Sequence, residues 1–507
     1  MQHAIQRTAR AAAAALGVSL ATLPALAAIP GLTGTPIADC AIGAGVGPGR
    51  QFDLIAAEGY LSTADGGSLY AWGYGEAGKA MQYPAPTLIV EQGTCVRVRL
   101  TNQLPVHTSI VFGGQREVLA GNTAATNGGP QPAAAAAVKL TREVAPPRRT
   151  AINGPALYST ITYTFVASEP GTYVYQSGTQ VGVQHEMGLA GALVVRPAGA
   201  PKQAYGHAAT AFDREALYVV SEIDPARHAD IESQVLAARA AATGANSQAL
   251  PARVGLPQNW RPNEAAWGAI WQPQYWFVNG RNAPDTLTAA GTDTLPHQPY
   301  NALARLHPGD RLLMRVVNLG RDLHPMHHHG NHSVTIARDG RMLSSATGAG
   351  PDLAQVDFTL RSVPGQTIDA IWSWTGKGLG WDITGATCNP AQPVSEGNCP
   401  YGKYSATGTL LEPGVSTTTQ DWSDLYKPMP TRMPAALELA YGEMFSGSPY
   451  LGQTSQRPVG AGLANQGGGI WHMFHSHNER EIINFGIFPG GMMTMLLIEH
   501  WSVQIDD

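Results

Sequence analysis

The amino-acid sequence predicts an all-β protein built from two copies of one β-sandwich. Three observations support this prediction: the composition, a set of short alternating segments, and a repeat with a constant offset. Only 14% of the 507 residues are charged, whereas Gly (58) and Pro (37) are abundant. Such a composition is typical of many short strands joined by turns. The length is enough for two or three domains, each with its own core.

The repeat is clearest in two strand-like segments. Residues 94–100 alternate apolar and polar side chains, follow Gly93 and lead to Asn102. Residues 310–317 follow Gly309 and lead to Asn318. Both flanking residues are shifted by 216 positions (309 − 93 and 318 − 102), and alternation of this kind marks a strand with one buried face.

The same offset sets Gly114 against Gly330, and a second pair of matching segments closes each copy. Residues 173–178 lead to an apolar run at 188–195, and residues 472–477 lead to another at 491–498. We therefore predict two sandwiches, 29–198 and 205–507. The spacing between the two motifs is longer in the second copy, which predicts a loop insertion near 382–466.

Two Ala-rich stretches fall outside this strand pattern. Ala229–Ala242 predicts a single surface helix. Ala133–Ala137, which is followed by a Pro/Arg stretch, predicts a mobile loop.

The first 28 residues resemble a secretory signal peptide. Arg7 and Arg10 precede an apolar stretch from Ala11 to Leu26, and the segment ends in small residues suited to cleavage. The alternative is an N-terminal helix of the fold. Arg7 and Arg10 are not adjacent, so a twin-arginine signal is not indicated. We expect the mature protein in the periplasm or outside the cell.

The four cysteines fit an oxidising compartment. Cys388 and Cys399 lie close together in a Pro/Gly-rich stretch and are the first pair we expect. Cys40–Cys95 would then tie the mature N-terminus to a strand. None of the four lies beside a histidine motif.

Charge excludes some partners without naming one. The net charge is −5 and no run of Lys or Arg occurs, which argues against nucleic acid and against an anionic membrane surface. No later stretch is long and apolar enough to predict a membrane span.

Two short segments concentrate the informative histidines. The first reads His324-Pro-Met-His-His-His-Gly330 and the second reads His472-Met-Phe-His-Ser-His477. Residues two apart on a strand face the same side, so each segment offers one His-x-His pair. If the two strands are neighbours, four imidazoles converge on one volume; these are His327, His329, His475 and His477.

Clustered imidazoles suit copper, zinc, iron or nickel, and the usual affinity order favours copper. The alternative is a set of surface or core histidines that bind nothing. His328 and Ser476 fall on the opposite faces, and we expect His328 to face solvent.

These motifs resemble those of multicopper oxidases, whose cupredoxin domains carry His-Pro-x-His-x-His-Gly and, later, His-Cys-His. The resemblance implies two Greek-key β-sandwiches of cupredoxin type. It also implies that the four paired histidines form half of a trinuclear copper site. His324 would be one ligand of type 1 copper.

The chain departs from the family pattern at several positions. Ser476 replaces the thiolate-bearing cysteine and Glu481 replaces a later histidine, although Met492 or Met493 could supply the axial thioether. The family's N-terminal histidine pairs fall on residues without imidazoles, namely Val111, Gly113, Gln176 and Gly178.

Other features allow two interpretations each. The aromatic residues Trp260, Trp267, Trp271, Tyr275 and Trp276 could line a substrate groove or pack a core. Met492, Met493 and Met495 suit a strand core equally well. His107 and His185 are expected to be structural.

The function expected from the sequence is that of an exported, copper-binding oxidoreductase with a reduced or atypical copper set. Its substrate would be a small molecule or a metal ion. A copper-sequestering protein without turnover and a non-catalytic scaffold are the alternatives. A homo-oligomer, such as a trimer with histidines at subunit boundaries, is left open.

Overall fold

The computed structural model describes residues 29–40, 48–122, 138–149, 156–244, 256, 260–267, 271–307, 309–374, 470–487, 490–498 and 505. The expected signal peptide (1–28), the loop at 133–137, the insertion near 382–466, and Cys388 and Cys399 lie outside these residues.

Strands dominate the first half of the described chain. In chain order they are β1 Thr35–Ile37, β2 Gly49–Ser62, β3 Ser68–Glu76, β4 Ala85–Glu91, β5 Cys95–Asn102, β6 Val111–Phe112, β7 Leu119–Asn122, β8 Val138–Lys139, β9 Arg148–Arg149, β10 Ala156–Leu157, β11 Thr160–Val166, β12 Gly171–Gln176 and β13 Ala190–Arg196. One short helix, α1 (Val181–Glu186), precedes β13.

The second half repeats this density of strands. They are β14 Arg214–Ile223, β15 Tyr275–Val278, β16 Ala304–Leu306, β17 Leu312–Asn318, β18 His324–His328, β19 Ser333–Arg338, β20 Arg341–Met342, β21 Gln355–Asp357, β22 Thr359–Ser362, β23 Thr367–Trp372, β24 Ile470–Ser476 and β25 Met493–Ile498. Its helices are α2 Pro225–Gly244 and α3 Glu479–Ile482, with 3₁₀ turns at Ala208–Thr210, Glu264–Trp267, Asp285–Leu287 and Asn484–Gly486. The all-β prediction is confirmed.

Apart from a two-stranded sheet of β9 and β10, the sheets among the described residues come in two matching pairs. The first pair has the orders β1-β2-β5-β11-β7-β8, with β3 on β2, and β4-β13-β12-β6; the second has β15-β14-β17-β23-β19-β20, with β21 on β19, and β16-β25-β24-β18-β22. The parallel pairing of β2 with β5 recurs in β14 with β17, and that of β4 with β13 recurs in β16 with β25. The sequence repeat is therefore a repeat of topology.

The asparagines at matching positions of the repeat, Asn102 and Asn318, hold the same turn in both copies. Asn102 Nδ2 donates to the carbonyls of Val106 (2.7 Å) and Val144 (2.9 Å). Asn318 Nδ2 donates to those of Asp322 and Ser362, both at 2.9 Å. Each Asn Oδ1 also accepts the backbone N–H two residues ahead. One buried amide thus holds together the turn that leaves each central strand.

The glycines of the repeat supply backbone that other residues rarely adopt. Gly114 and Gly330, which are 216 positions apart, have φ angles of 74° and 92°. A side chain at Gly330 would also meet the His472 ring at 2.9 Å.

Each pair of sheets encloses an apolar core. The first contains Trp72, Tyr74 and Phe165, and the second contains Trp276, Trp372 and Met492. The predicted Cys40–Cys95 disulfide is present, with Cα atoms 6.1 Å apart. It joins the N-terminal segment to the first residue of β5.

The Ala-rich helix is confirmed as α2, but it begins four residues earlier than predicted. Asp224 accepts the N–H of Ala226 at 3.0 Å, and Pro225 occupies the first turn, so this start signal lies ahead of the alanines. Ile231 and Val235 are buried in the first core, so one face of this surface helix packs inward.

The aromatic residues that follow α2 act mainly in packing. Trp276 is buried in the second core, while Trp260 and Trp267 pack against the first. Trp271 Nε1 donates to Glu186 at 3.2 Å, across the boundary between the two halves. No helix among the described residues is long and apolar enough to cross a membrane.

Candidate metal centre

Strands β18 and β24 are neighbours and run antiparallel. His327 lies directly opposite His475, with Met326 opposite Ser476 and His328 opposite Phe474. The ladder continues past both strand ends, because the N–H of His329 donates to Met473 O (2.9 Å) and that of His477 donates to Pro325 O (2.8 Å). The two histidine segments are therefore held in one fixed register.

Alternation along β18 separates its histidines onto two faces. His324, Met326 and His328 are buried, whereas His327 and His329 are half-buried on the other face. The prediction that His328 faces solvent is wrong: it is 2% exposed, and its Nε2 lies 2.9 Å from Ser333 Oγ. His327 and His329 lie on the outward face of the strand, so the residues that alternate with them, including His328, must point into the core.

Three imidazoles meet on the outward face. Ligand atoms of His327, His329 and His475 all lie within 4.8 Å of one another. Nε2 of His475 is 3.3 Å from Nε2 of His329, and the ring centroids of His327 and His475 are 5.5 Å apart. We call these three residues the three-histidine cluster.

His477 flanks the cluster without joining its core. Its ring centroid lies 4.9 Å from that of His327 and 5.7 Å from that of His475, and its side chain is exposed. The register explains this position, because His329 and His477 fall on opposite sides of the central His327–His475 pair.

The outer nitrogens of two rings are engaged by the protein. His475 Nδ1 lies 2.7 Å from the Ser476 carbonyl, so it must carry a proton, and the Nε2 lone pair faces His329 Nε2 at 3.3 Å. His327 Nδ1 lies 3.0 Å from Thr359 Oγ1, on the strand paired to the other side of β18. Hydrogen bonds of this kind fix both tautomer and ring orientation in metal sites.

Burial and mutual proximity keep the cluster neutral. Burial, followed by the charges of its histidine neighbours, lowers the pKa of His327 to about 4. Burial likewise lowers the pKa of His329 and that of His475, and neighbouring histidines add to both shifts. Neutral imidazoles with free lone pairs are the form that binds metal.

His324 lies on the core side, away from the cluster. Its Nε2 is 2.6 Å from Glu222 Oε2 and its Nδ1 is 3.0 Å from Glu481 Oε2. Burial opposes charge on the ring, but the two carboxylates outweigh burial and raise its pKa to about 9. Both ring nitrogens are used within the protein, which does not fit a copper ligand.

The corresponding place in the first sandwich has the same register and different side chains. Val111 lies opposite Gln176 in the pairing of β6 with β12, just as His327 lies opposite His475. A Cβ at Gly178 would meet Val111 Cγ2 at 2.6 Å, so this place is filled by neighbouring side chains. No imidazole stands at these positions.

Sequence reasoning missed two partners of the site. Thr359 comes from a strand with no histidine, and only the pairing of β22 with β18 reveals it. Glu222 could have been found from the sequence, because it is an acidic residue near the end of the apolar run 216–223, and a buried carboxylate needs a partner.

His185 is structural as expected, since its Nε2 lies 2.7 Å from Leu319 O. His107 lies 3.7 Å from Glu143 and away from the cluster.

The donor set of the three-histidine cluster fits copper. Three imidazoles with nitrogens at mutual distances below 4.8 Å can bind one ion and leave room for a further ligand. Among the described residues no thiolate is available, because Cys40 and Cys95 form a disulfide and Ser476, between His475 and His477, donates its hydroxyl to Glu481.

Comparison with known proteins gives structural similarity only. No family model matches the chain, and no curated protein matches it. A blue copper oxidase from Nitrosomonas europaea aligns at 16% identity and a TM-score of 0.43, over 88% of this chain and 85% of that one. The multicopper oxidase mgLAC aligns at 17% identity and a TM-score of 0.44, over 90% of this chain and 88% of that one. A copper nitrite reductase from N. europaea aligns at 16% identity and a TM-score of 0.36, over 64% of this chain and 84% of that one. Because these scores lie below 0.5, function is inferred below from the histidine geometry.

Proposed function

We propose that this protein is an exported copper-binding oxidoreductase with a smaller copper set than the multicopper oxidases whose motifs it resembles. The observation that supports this proposal is the three-histidine cluster, whose imidazole nitrogens lie within 4.8 Å of one another on the outward face. The Cys40–Cys95 disulfide is compatible with export.

His327, His329 and His475 would hold one copper ion, and bound copper would supply one-electron transfer to or from a substrate. The protein's own contribution is orientation. Ser476 O fixes the ring of His475, and Thr359 fixes that of His327.

The surroundings of the cluster suggest how a substrate would approach. His477 is exposed beside His327, where its ring can form a hydrogen bond with a bound substrate. The exposed Phe358 ring stands edge-on to His327 with centroids 5.7 Å apart, forming an apolar wall. A small molecule or metal ion would therefore meet the centre directly.

Bulky phenolic dyes should be poor substrates. In the resembled family such dyes give up electrons at a type 1 copper, and the residues at that position here are Ser476 and Glu481. Turnover of a laccase dye at rates typical of enzymes, on the order of 10 per second, would contradict the proposal.

The function is tested by copper analysis of protein purified from its native compartment, combined with an oxygen-consumption assay. Bound copper with turnover is the predicted result. Copper without turnover would instead indicate a sequestering protein. The absence of both would indicate a non-catalytic scaffold. The loaded protein should also lack the intense visible absorption of a copper–thiolate bond.

A further inference from the structure

A second group of buried titratable side chains lies behind the cluster, on the core face of the β18–β24 pair. His324 and the carboxylates of Glu222 and Glu481 are all at most 2% exposed. We call these three residues the imidazole clamp. It brings together β14, β18 and α3.

The hydrogen bonds of the clamp define its protonation. A neutral imidazole carries one N–H, so it can donate to one acceptor only. His324 meets a carboxylate oxygen at both nitrogens, at 2.6 Å and 3.0 Å. The arrangement is satisfied by an imidazolium that donates in both directions, with one cation between two anions.

The remaining atoms of the clamp are also engaged. Glu481 accepts the Ser476 hydroxyl and Asn478 Nδ2, the latter at 3.0 Å. Glu222 accepts the backbone N–H of Arg321, and a Cβ at Gly320 would lie only 1.9 Å from Glu222 Oε2. A metal ion could enter only by displacing the His324 proton and breaking these contacts.

The clamp touches both histidine strands. His324 is the first residue of β18, three residues before His327. Ser476, which donates to Glu481, stands between His475 and His477. Glu481 therefore ties the start of β18 to the end of β24, the two strands that carry His327 and His475.

We propose that the imidazole clamp is a metal-free centre in which charged His324, which the family resemblance implies to be a type 1 copper ligand, instead orients the two histidine strands. The clamp residues are positioning residues, because none of them contacts the cluster's nitrogens. The orienting role rests on the proposed function; the absence of metal from the clamp does not.

The test uses the full-length protein and two variants, His324→Gln and Glu481→Gln. First, ¹⁵N NMR of the copper-free protein near pH 7.5 should show a histidine signal with both ring nitrogens protonated, which we assign to His324. That signal should vanish in His324→Gln. A spectrum in which His324 has one unprotonated nitrogen would overturn the proposal.

Second, copper stoichiometry and electron paramagnetic resonance separate ligand from positioning roles. Both variants should keep the wild-type copper count, with affinity weakened by about 10-fold and with altered copper hyperfine coupling. Glu481→Gln should lie nearer to wild type, since an amide oxygen can still accept from Ser476. Loss of one copper in His324→Gln, or unchanged hyperfine coupling in both variants, would contradict the proposal.

Failure of the proposed function gives a different pattern. In that case the wild-type protein binds no copper at the cluster, while the NMR signal of His324 remains. Circular dichroism checks that each variant is folded. If His324→Gln does not fold, Glu481→Gln still gives both readouts.

Discussion

The same two-strand register occurs once in each sandwich, with opposite contents. In the first, Val111 faces Gln176 and nearby atoms fill the space; in the second, His327 faces His475 and three imidazoles meet. The backbones of the two sandwiches match in detail, including the asparagine that closes the turn after the central strand. The comparison teaches that the sandwich is set by core and turn residues. Outward residues can then differ without altering the frame.

The largest expected effect distinguishes the paired histidines of the second sandwich from the corresponding pair of the first. Replacing His327 and His475 together with Ala should abolish copper binding, because it removes two of the three clustered imidazoles. The matched control, Val111→Ala with Gln176→Ala, should keep the wild-type copper content. Metal analysis after exhaustive dialysis measures both. Full retention of copper by the histidine variant would show that the ion is held elsewhere.

A second prediction sharpens the distinction within the cluster. His329→Ala should weaken copper affinity by at least about 100-fold, since it removes a ligand, and His477→Ala by about 10-fold at most, since it alters only a neighbour. Competition titrations with a copper chelator measure both constants. Equal losses would mean that all four histidines are ligands.

Stability should depend on pH through the imidazole clamp, which is part of the second sandwich. The His324 pKa is raised to about 9 from an ordinary 6.5, so its contribution is complete below pH 6.5 and is lost as pH rises through 9. The loss should be about 3 kcal/mol of unfolding free energy. Glu222, Glu481 and the nearby Asp322 are the acidic groups that face this ring.

Denaturant unfolding of the copper-free protein at pH 6.5 and 9.5 checks this dependence. The stability of wild type relative to His324→Gln should fall by about 3 kcal/mol over that range, because the histidines with lowered pKa values contribute equally to both proteins. A stability difference between the two proteins that stays constant between these pH values would contradict the assignment of a charged His324.

The smallest effect tests the similarity of the two frames. Asn102→Ala and Asn318→Ala should each cost about 2 kcal/mol of stability, because each leaves two buried carbonyls without their amide donor. Thermal unfolding of the two variants measures the cost. A loss confined to one variant would mean that the repeated turn matters in only one sandwich.

Much of the frame could be predicted from the sequence because its signals are local. Alternation revealed β5, and the constant offset from Gly93 and Asn102 to Gly309 and Asn318 then revealed β17. The start of α2 was missed because its signal, Asp224 with Pro225, lies ahead of the alanines.

The site was predictable in part. Parity alone placed His327 with His329 and His475 with His477, but it could not give the register that leaves His477 at the side. The burial of His328 also follows from parity once the outward face is known. Glu222 and Thr359 come from strands distant in sequence, so only the fold brings them to His324 and His327.

The central claim is that one copper ion is held by the imidazoles of the three-histidine cluster without sulfur. X-ray absorption spectroscopy of the copper-loaded, full-length protein tests it most directly. We predict outer-shell scattering from three imidazoles, no sulfur ligand, and loss of the imidazole signal in the variant lacking His327 and His475. A sulfur ligand, or a wild-type spectrum retained by that variant, would contradict the account.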